Sequence, residues 1–182
     1  MSSNELSRRT LLAAAAAGTL ATAGVRAAAA AEMTVKVGGA VKKPAEYTAA
    51  DLAAMPQTEV KGAWADSEDG APFTAKGPSL YDVVMASEPN VGPEMVARMA
   101  VVVTGLDGYA GTYSWAELMP DAGAEPVIVA LEYNGEPIRV IFNPAWIVSA
   151  GDKMSLRSVF ALASIDLVDP TGAIEAAATP AA

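Results

Sequence analysis

Short alternations and short apolar clusters dominate the chain, so most of the elements they predict are strands. Met33-Thr-Val-Lys-Val37 has the period of two that a half-buried strand requires, and Gly38-Gly39 stops or bends it. Thr48 with Asp51 three residues later reads as a helix cap. That helix buries Leu52 and Met55 and ends before Pro56. Thr58 to Trp64 reads as another strand, followed by the charged turn Asp66-Ser-Glu-Asp-Gly70. Its acids lack the spaced ligands and closing glutamate of a calcium loop, so a solvated turn is the preferred reading. Pro78 opens a short amphipathic helix with Leu80, Val83 and Val84 on one face, running to Ser87.

Met99 to Thr104 is a continuous β-branched run, expected to form a strand buried on both faces and leading straight into Gly105-Leu-Asp-Gly-Tyr109. Ser114 and Glu117 fit a capping box for a short helix carrying Trp115 and Leu118, closed by Pro120. Val127 to Tyr133 predicts a strand, Asn134-Gly135 a hairpin turn because both residues accept positive φ, and Ile138 to Phe142 the return strand. After Asn143-Pro144 come an extended piece around Trp146 to Val148, a polar turn at Gly151-Asp152-Lys153, and a last strand near Phe160 to Val168. Many short strands with three small helices between them predict an α+β domain of mixed β-sheets, not a regular βαβ series.

Composition narrows the chemistry sharply, because the 182 residues include no histidine and no cysteine. No imidazole is available to shuttle protons near neutrality or to ligate zinc, copper or haem. No thiolate is available as nucleophile, disulfide partner or cluster ligand. What remains is carboxylate chemistry, a Ser, Thr, Lys or Tyr device, an oxygen-ligated metal, or a cofactor held by hydrogen bonds and shape.

At the start, Ser7-Arg8-Arg9-Thr10-Leu11-Leu12 precedes a soft run from Ala13 to Val25, and Ala27 to Ala31 supplies small-residue cleavage sites. Residues 1–31 are therefore expected to be a twin-arginine signal peptide, with the domain delivered to the periplasm; the structural alternative is an uncleaved alanine-rich helix. The run is too short and too weakly apolar for a permanent membrane anchor. Residues 32–170 are expected to form one domain, and 171–182 a flexible tail. Of 12 basic and 21 acidic residues, three and one fall in the first 31, leaving 9 against 20 and a net charge of −11. Such a domain repels nucleic acid and anionic lipid.

Three places carry candidate chemistry. Asp107-Gly108-Tyr109 follows a strand and offers an acceptor and a ring beside a backbone that passes close to a ligand, although Asp-Gly is also an ordinary turn pair. Arg157-Ser158 precedes Phe160 and the last strand, and the arginine fork suits a planar or anionic group unless it is a surface residue in an edge loop. Trp146 can stack on a flat ligand or belong to the core. No Ser–Lys pair, glycine-rich phosphate loop or carboxylate dyad of recognisable spacing is present, and no catalytic or metal-ligating residue is assigned.

The order of pieces is similar to that of a known family. It runs Val41-Lys-Lys-Pro44, Tyr47-Thr48 with Asp51-Leu52 and Met55-Pro56, then Gly77-Pro-Ser-Leu80-Tyr-Asp-Val-Val84. Asp107-Gly-Tyr109, Ala130, Asn134-Gly135-Glu-Pro137 and Arg157-Ser158 follow. From Met33 to Val168 the chain resembles the oxidoreductase molybdopterin-binding domain of the sulfite oxidase superfamily, in its short, single-domain exported form. The resemblance implies a molybdopterin-type cofactor loaded before export, but the cysteine that ligates molybdenum in such enzymes has no counterpart here. An Arg-Ser-x-Trp-Gln-Leu stretch of short relatives reads Arg157-Ser158-Val159-Phe160-Ala161-Leu162, and their Gly-Pro-Leu-Trp reads Asn143-Pro144-Ala145-Trp146.

Some short relatives without the cysteine are understood as periplasmic pterin-binding proteins that inform a membrane-bound signalling enzyme. The resemblance thus implies a pterin or molybdopterin-like ligand held without redox catalysis and without molybdenum. Arg157 and Ser158 would bond its polar edge, Trp146, Phe160 and Tyr109 would supply ring contacts, and Asp107 would accept from an amino group. The alternatives are a molybdopterin-dependent oxidoreductase with Ser158 or Asp107 as an oxygen ligand to the metal, and a ligand-free interaction scaffold.

Overall fold

β1 (Val35–Gly39) and β11 (Leu162–Val168), the first and last strands, lie side by side and parallel, so nearly the whole intervening chain serves as their crossover. With β2 (Ala45–Tyr47), β5 (Ala100–Gly105) and β6 (Ala110–Ser114) they form a five-stranded sheet in the order β2-β1-β11-β5-β6. A second sheet joins β3 (Thr58–Ala63), β4 (Pro72–Gly77), β8 (Glu132–Tyr133) and β9 (Glu136–Pro137) in that order. Between them in the chain, β7 (Val127–Ala130) and β10 (Trp146–Ser149) pair as a two-stranded antiparallel ribbon. The computed structural model describes residues 34–67, 70–138 and 145–172, all inside the compact unit 32–182. The expected signal peptide, most of the expected return strand at Ile138 to Phe142, and all but the first two residues of the expected tail lie outside them.

The three α-helices among the described residues are too short to persist alone, so caps and buried faces hold them. α1 (Ala49–Ala54) is closed by a capping box in which Asp51 N donates to Thr48 Oγ1 at 3.1 Å and Thr48 N donates to Asp51 Oδ2 at 2.9 Å. α2 (Leu80–Ala86) is capped by Ser79, which accepts from Asp82 N. α3 (Trp115–Leu118) begins where Ser114 N donates to Glu117 Oε1 at 3.0 Å. Leu52, Leu80, Val83, Val84, Trp115 and Leu118 pack from these helices onto Val35, Val101, Val103, Ile165 and Leu167 of the large sheet. A second cluster gathers Val60, Trp64, Phe73 and Ala75 of the smaller sheet against Ile128 and Val148 of the ribbon.

The ribbon belongs to both cores, because Val129 and Ile147 face the first and Ile128 and Val148 the second. Burial on both faces was expected of Met99 to Thr104, but β5 alternates, with Val101 and Val103 buried and Ala100, Val102 and Thr104 half-buried. The apolar run expected as one strand over Val127 to Tyr133 divides at Leu131, its first half pairing with β10 and its second with β4. β2, β4 and β6 were not predicted. Asn134 (φ 51°) and Gly135 (φ 78°) form the expected hairpin turn, joining β8 to β9. Thr171 and Gly172, expected in a loose tail, are held by the Asp169 carboxylate, which accepts from both their amides and from the Thr171 hydroxyl. Among the described residues no helix is long and apolar enough to cross a membrane.

Candidate functional site

The segment from Ser155 to Ala161, which delivers the chain into β11, is pinned on two sides. On one side Val159 exchanges backbone hydrogen bonds with Ile147 of β10, at 2.8 and 3.1 Å. On the other, Leu106 N donates to the Ala161 carbonyl at 2.9 Å and the Tyr109 hydroxyl to the Leu156 carbonyl at 2.5 Å. Two glycines permit that approach. A Cβ on Gly105 would sit 2.8 Å from the Phe160 carbonyl oxygen and 2.9 Å from Asp107 Oδ1, and one on Gly111 would sit 2.6 Å from the Arg157 carbonyl oxygen.

Asp107 and Tyr109 occupy the tight turn between β5 and β6. The turn closes through Gly105 N to the Tyr109 carbonyl at 2.9 Å and Gly108 N to the Gly105 carbonyl at 3.0 Å. Asp107 is exposed, and its Oδ1 accepts from Tyr109 N at 2.9 Å, so one carboxylate oxygen stabilises its own turn. The ordinary turn and the candidate site are thus the same object.

Arg157 does not present a free fork. Nε and Nη2 donate to the two oxygens of Asp152 at 2.9 and 2.7 Å, Nη1 donates to Glu117 Oε1 at 2.9 Å, and the guanidinium carbon stands 4.8 Å from the centre of the Tyr113 ring. The bonded Asp152 carboxylate, before any other influence, holds the guanidinium above its ordinary range. Glu117 Oε1 therefore both caps α3 and anchors the segment, which fixes Arg157 as a positioning group. Ser158 is buried and its Oγ accepts from Ser149 N at 3.2 Å. Neither residue offers the polar edge expected of it for a ligand in this arrangement.

Beneath them lies Tyr113, fully buried on β6. Its hydroxyl donates to the Arg157 carbonyl at 2.6 Å and stands 2.6 Å from Ser149 Oγ. A phenol has one proton, so Ser149 is the donor in the second bond. Burial, partly offset by the Ser149 hydrogen bond and the Arg157 charge, pushes the phenol up to about 12. Tyr113, Ser149, Asp152 and Glu117 were absent from the sequence-derived site. Only Tyr113 left a signal, as the one large side chain in an otherwise small-residue stretch after a tight turn.

Trp146 and Phe160 do meet, ring edge to ring face, with centroids 4.8 Å apart and planes at 86°. The Tyr133 ring also packs on Trp146, with centroids 5.6 Å apart. Trp146 Nε1 is buried and has no hydrogen-bond partner among the described residues. All six sequence-derived residues thus border one segment, with Asp107, Tyr109 and Phe160 around Gly105, Trp146 against Phe160, Ser158 buried and the half-exposed Arg157 tied to Asp152 and Glu117. A cleft of about 260 Å³ shares Glu117 with this network and is otherwise lined by Tyr81, Asp82 and Glu125 among others. Its three carboxylates, with no cation in the lining, repel an anionic group.

The family model described as oxidoreductase molybdopterin binding domain matches residues 22–141. The chain belongs to that family. Its sheets and few short helices form the sulfite-oxidase-like molybdopterin-binding fold expected from the sequence. Among solved structures, the sulfane dehydrogenase SoxCD from Paracoccus pantotrophus is similar with a TM-score of 0.59 and 19% identity, over 75% of this chain and 38% of that one. This chain therefore spans well under half of that protein, and the likeness concerns the fold. No curated protein matches the chain. Asp107 and Tyr109 fall within the matched residues, whereas Trp146, Arg157, Ser158 and Phe160 lie beyond them.

The family binds a molybdopterin cofactor, and the two halves of that group fit these residues differently. The sequence has no thiolate for the metal, and among the described residues no three Asp, Glu, His or Cys gather as a metal site. Of the two oxygen ligands considered, Ser158 Oγ accepts from Ser149 N and Asp107 Oδ1 accepts from Tyr109 N. The flat organic half finds a tryptophan–phenylalanine pair, a donor without a partner among the described residues and the exposed Asp107.

Proposed function

We propose that the face around Trp146 and Phe160 binds a pterin or molybdopterin-type ligand without redox catalysis. In this reading Trp146, Phe160 and Tyr109 supply ring contacts and Asp107 accepts from an amino group, while Arg157 and Ser158 hold the segment in place. The observation that carries it is the buried Nε1 of Trp146, without a hydrogen-bond partner among the described residues, beside the exposed Phe160 ring in a domain whose family binds a molybdopterin cofactor. A buried donor without a partner among the described residues requires an explanation, and a ring nitrogen or carbonyl of a ligand that displaces the exposed Phe160 ring from Trp146 provides one. The same proposal places the domain in the periplasm, with residues 1–31 as its twin-arginine signal and a membrane-bound signalling protein as its reader.

The test is to produce the protein together with its exporter in cells supplied with pterin, and to measure bound pterin by fluorescence after oxidation. A thermal shift on adding a tetrahydropterin gives the second readout. Saturation a hundredfold above Kd adds about 2.7 kcal/mol, which raises the melting temperature of a domain this size by roughly 5–10 °C. Absence of both signals overturns the reading. Stoichiometric molybdenum in protein from its native host replaces it with the oxidoreductase alternative and an oxygen ligand.

A further inference from the structure

Six large hydrophobic side chains are conspicuously exposed among the described residues, and five stand on one lip. They are Leu106 (57% exposed), Tyr109 (48%), Met154 (45%), Leu156 (62%) and Phe160 (46%). The sixth, Met85, lies in α2. Two segments carry the five, 106–109 and 154–160, and the hydrogen bonds from Tyr109 to Leu156 and from Leu106 to Ala161 bind those segments together. Scattered exposed apolar residues are ordinary, but a contiguous group on a fixed frame marks a contact surface.

The frame is fixed from below as well. Both oxygens of Asp66 accept from Ser155 N, at 2.9 and 3.1 Å, and Asp66 Oδ2 also accepts from the Ser155 hydroxyl at 2.8 Å. Tyr113 holds the Arg157 carbonyl. Apolar anchors on an immobile backbone lose little conformational entropy when covered, which is what a binding hot spot needs.

Charge selects the occupant. Among the described residues Asp66, Asp107, Glu117 and Asp152 stand around the lip, and of the two cations described there Arg157 is already paired with Asp152 and Glu117, leaving Lys153. A second copy would bring the same acidic rim against itself, in a domain of net charge −11 over residues 32–182.

We propose that this lip docks a partner protein segment that presents aliphatic or aromatic anchors flanked by lysine or arginine. Leu106 and Leu156, which the ligand reading does not use, carry the contact. The lip shares Tyr109 and Phe160 with the ligand reading, so the two proposals are told apart at Leu106 and Leu156.

The experiment uses the ¹⁵N-labelled chain and two synthetic peptides with the same leucine and phenylalanine anchors, one flanked by lysines and one by glutamates. The lysine peptide is expected to shift the amides of residues 105–109 and 154–161. The double substitution Leu106→Ser, Leu156→Ser is expected to weaken it about tenfold with the melting temperature and the tetrahydropterin thermal shift unchanged. Equal binding of both peptides, shifts spread over the acidic surface and indifferent to the double substitution, or no shifts at all overturn the proposal. So does concentration-dependent self-association, or adsorption to neutral phosphatidylcholine vesicles, that the double substitution abolishes while leaving the peptide unaffected.

Discussion

Replacing Tyr113 with phenylalanine deletes one oxygen and leaves the ring, and with it the stack under the Arg157 guanidinium. Two hydrogen bonds of 2.6 Å are lost, and the Arg157 carbonyl and the Ser149 hydroxyl lose their partner. Each lost bond costs about 0.5–1.5 kcal/mol and the groups stranded by it add to that, so the variant should be less stable by about 2–3 kcal/mol. The same hydroxyl makes a second, independent mark. Its pKa rises from 10.0 to about 12 on folding, chiefly through burial, so the folded state favours the protonated phenol. That contribution is fully present below pH 10 and disappears as pH climbs through about 12, a change of roughly 3 kcal/mol. Urea melts of both proteins from pH 8 to 12 measure the two effects, and their difference removes the titration of the other tyrosines. The wild type should lose its advantage over the variant across that window. A neutral-pH difference under about 0.5 kcal/mol, or parallel curves to pH 12, refutes the assignment of Tyr113 as the pin of the 155–161 segment.

Ala161 has φ 51°, which costs an L-residue about 1–2 kcal/mol, against about 0.5–1 kcal/mol of extra chain entropy for glycine, so Ala161→Gly should gain up to about 1 kcal/mol in chemical denaturation. Gly111→Ala places a methyl 2.6 Å from the Arg157 carbonyl oxygen and should cost about 1–3 kcal/mol, with amide shifts concentrated at 155–161 in an NMR spectrum. The Thr171 hydroxyl, foremost among its partners, holds the Asp169 carboxyl down to about 2, so the tie on Thr171 and Gly172 is complete above pH 4 and released as pH falls through about 2. The Thr171 amide shift should titrate with that midpoint and should not titrate in Asp169→Asn.

Local chemistry was legible where three or four neighbouring residues suffice to specify it. The boxes at Thr48–Asp51 and Ser114–Glu117 and the turn at Asn134-Gly135 are of this kind, since capping donors and positive φ are satisfied within one turn of chain. Sequence also set the outer limits of the chemistry, because a chain without thiol or imidazole excludes their ligation whatever its fold. The loose order of family motifs carried the fold class. The sequence named Trp146, Phe160, Tyr109 and Asp107 as ligand contacts, and it is the fold that sets Trp146 against Phe160 and Asp107 beside the same segment.

Tertiary structure decided what depends on partners distant in the chain. β6 was illegible because Ala110, Gly111, Thr112 and Ser114 give no apolar alternation, and it exists through its register with β5. Two neighbouring β-branched runs looked alike, yet one is covered on a single face and the other, the β7–β10 ribbon, lies between two cores; periodicity reports a face and not what covers it. Arg157 shows the difference most plainly. Its guanidinium, fit in principle for a ligand, is committed to a carboxylate five residues back and another forty residues back, and only folding brings that second charge within 2.9 Å.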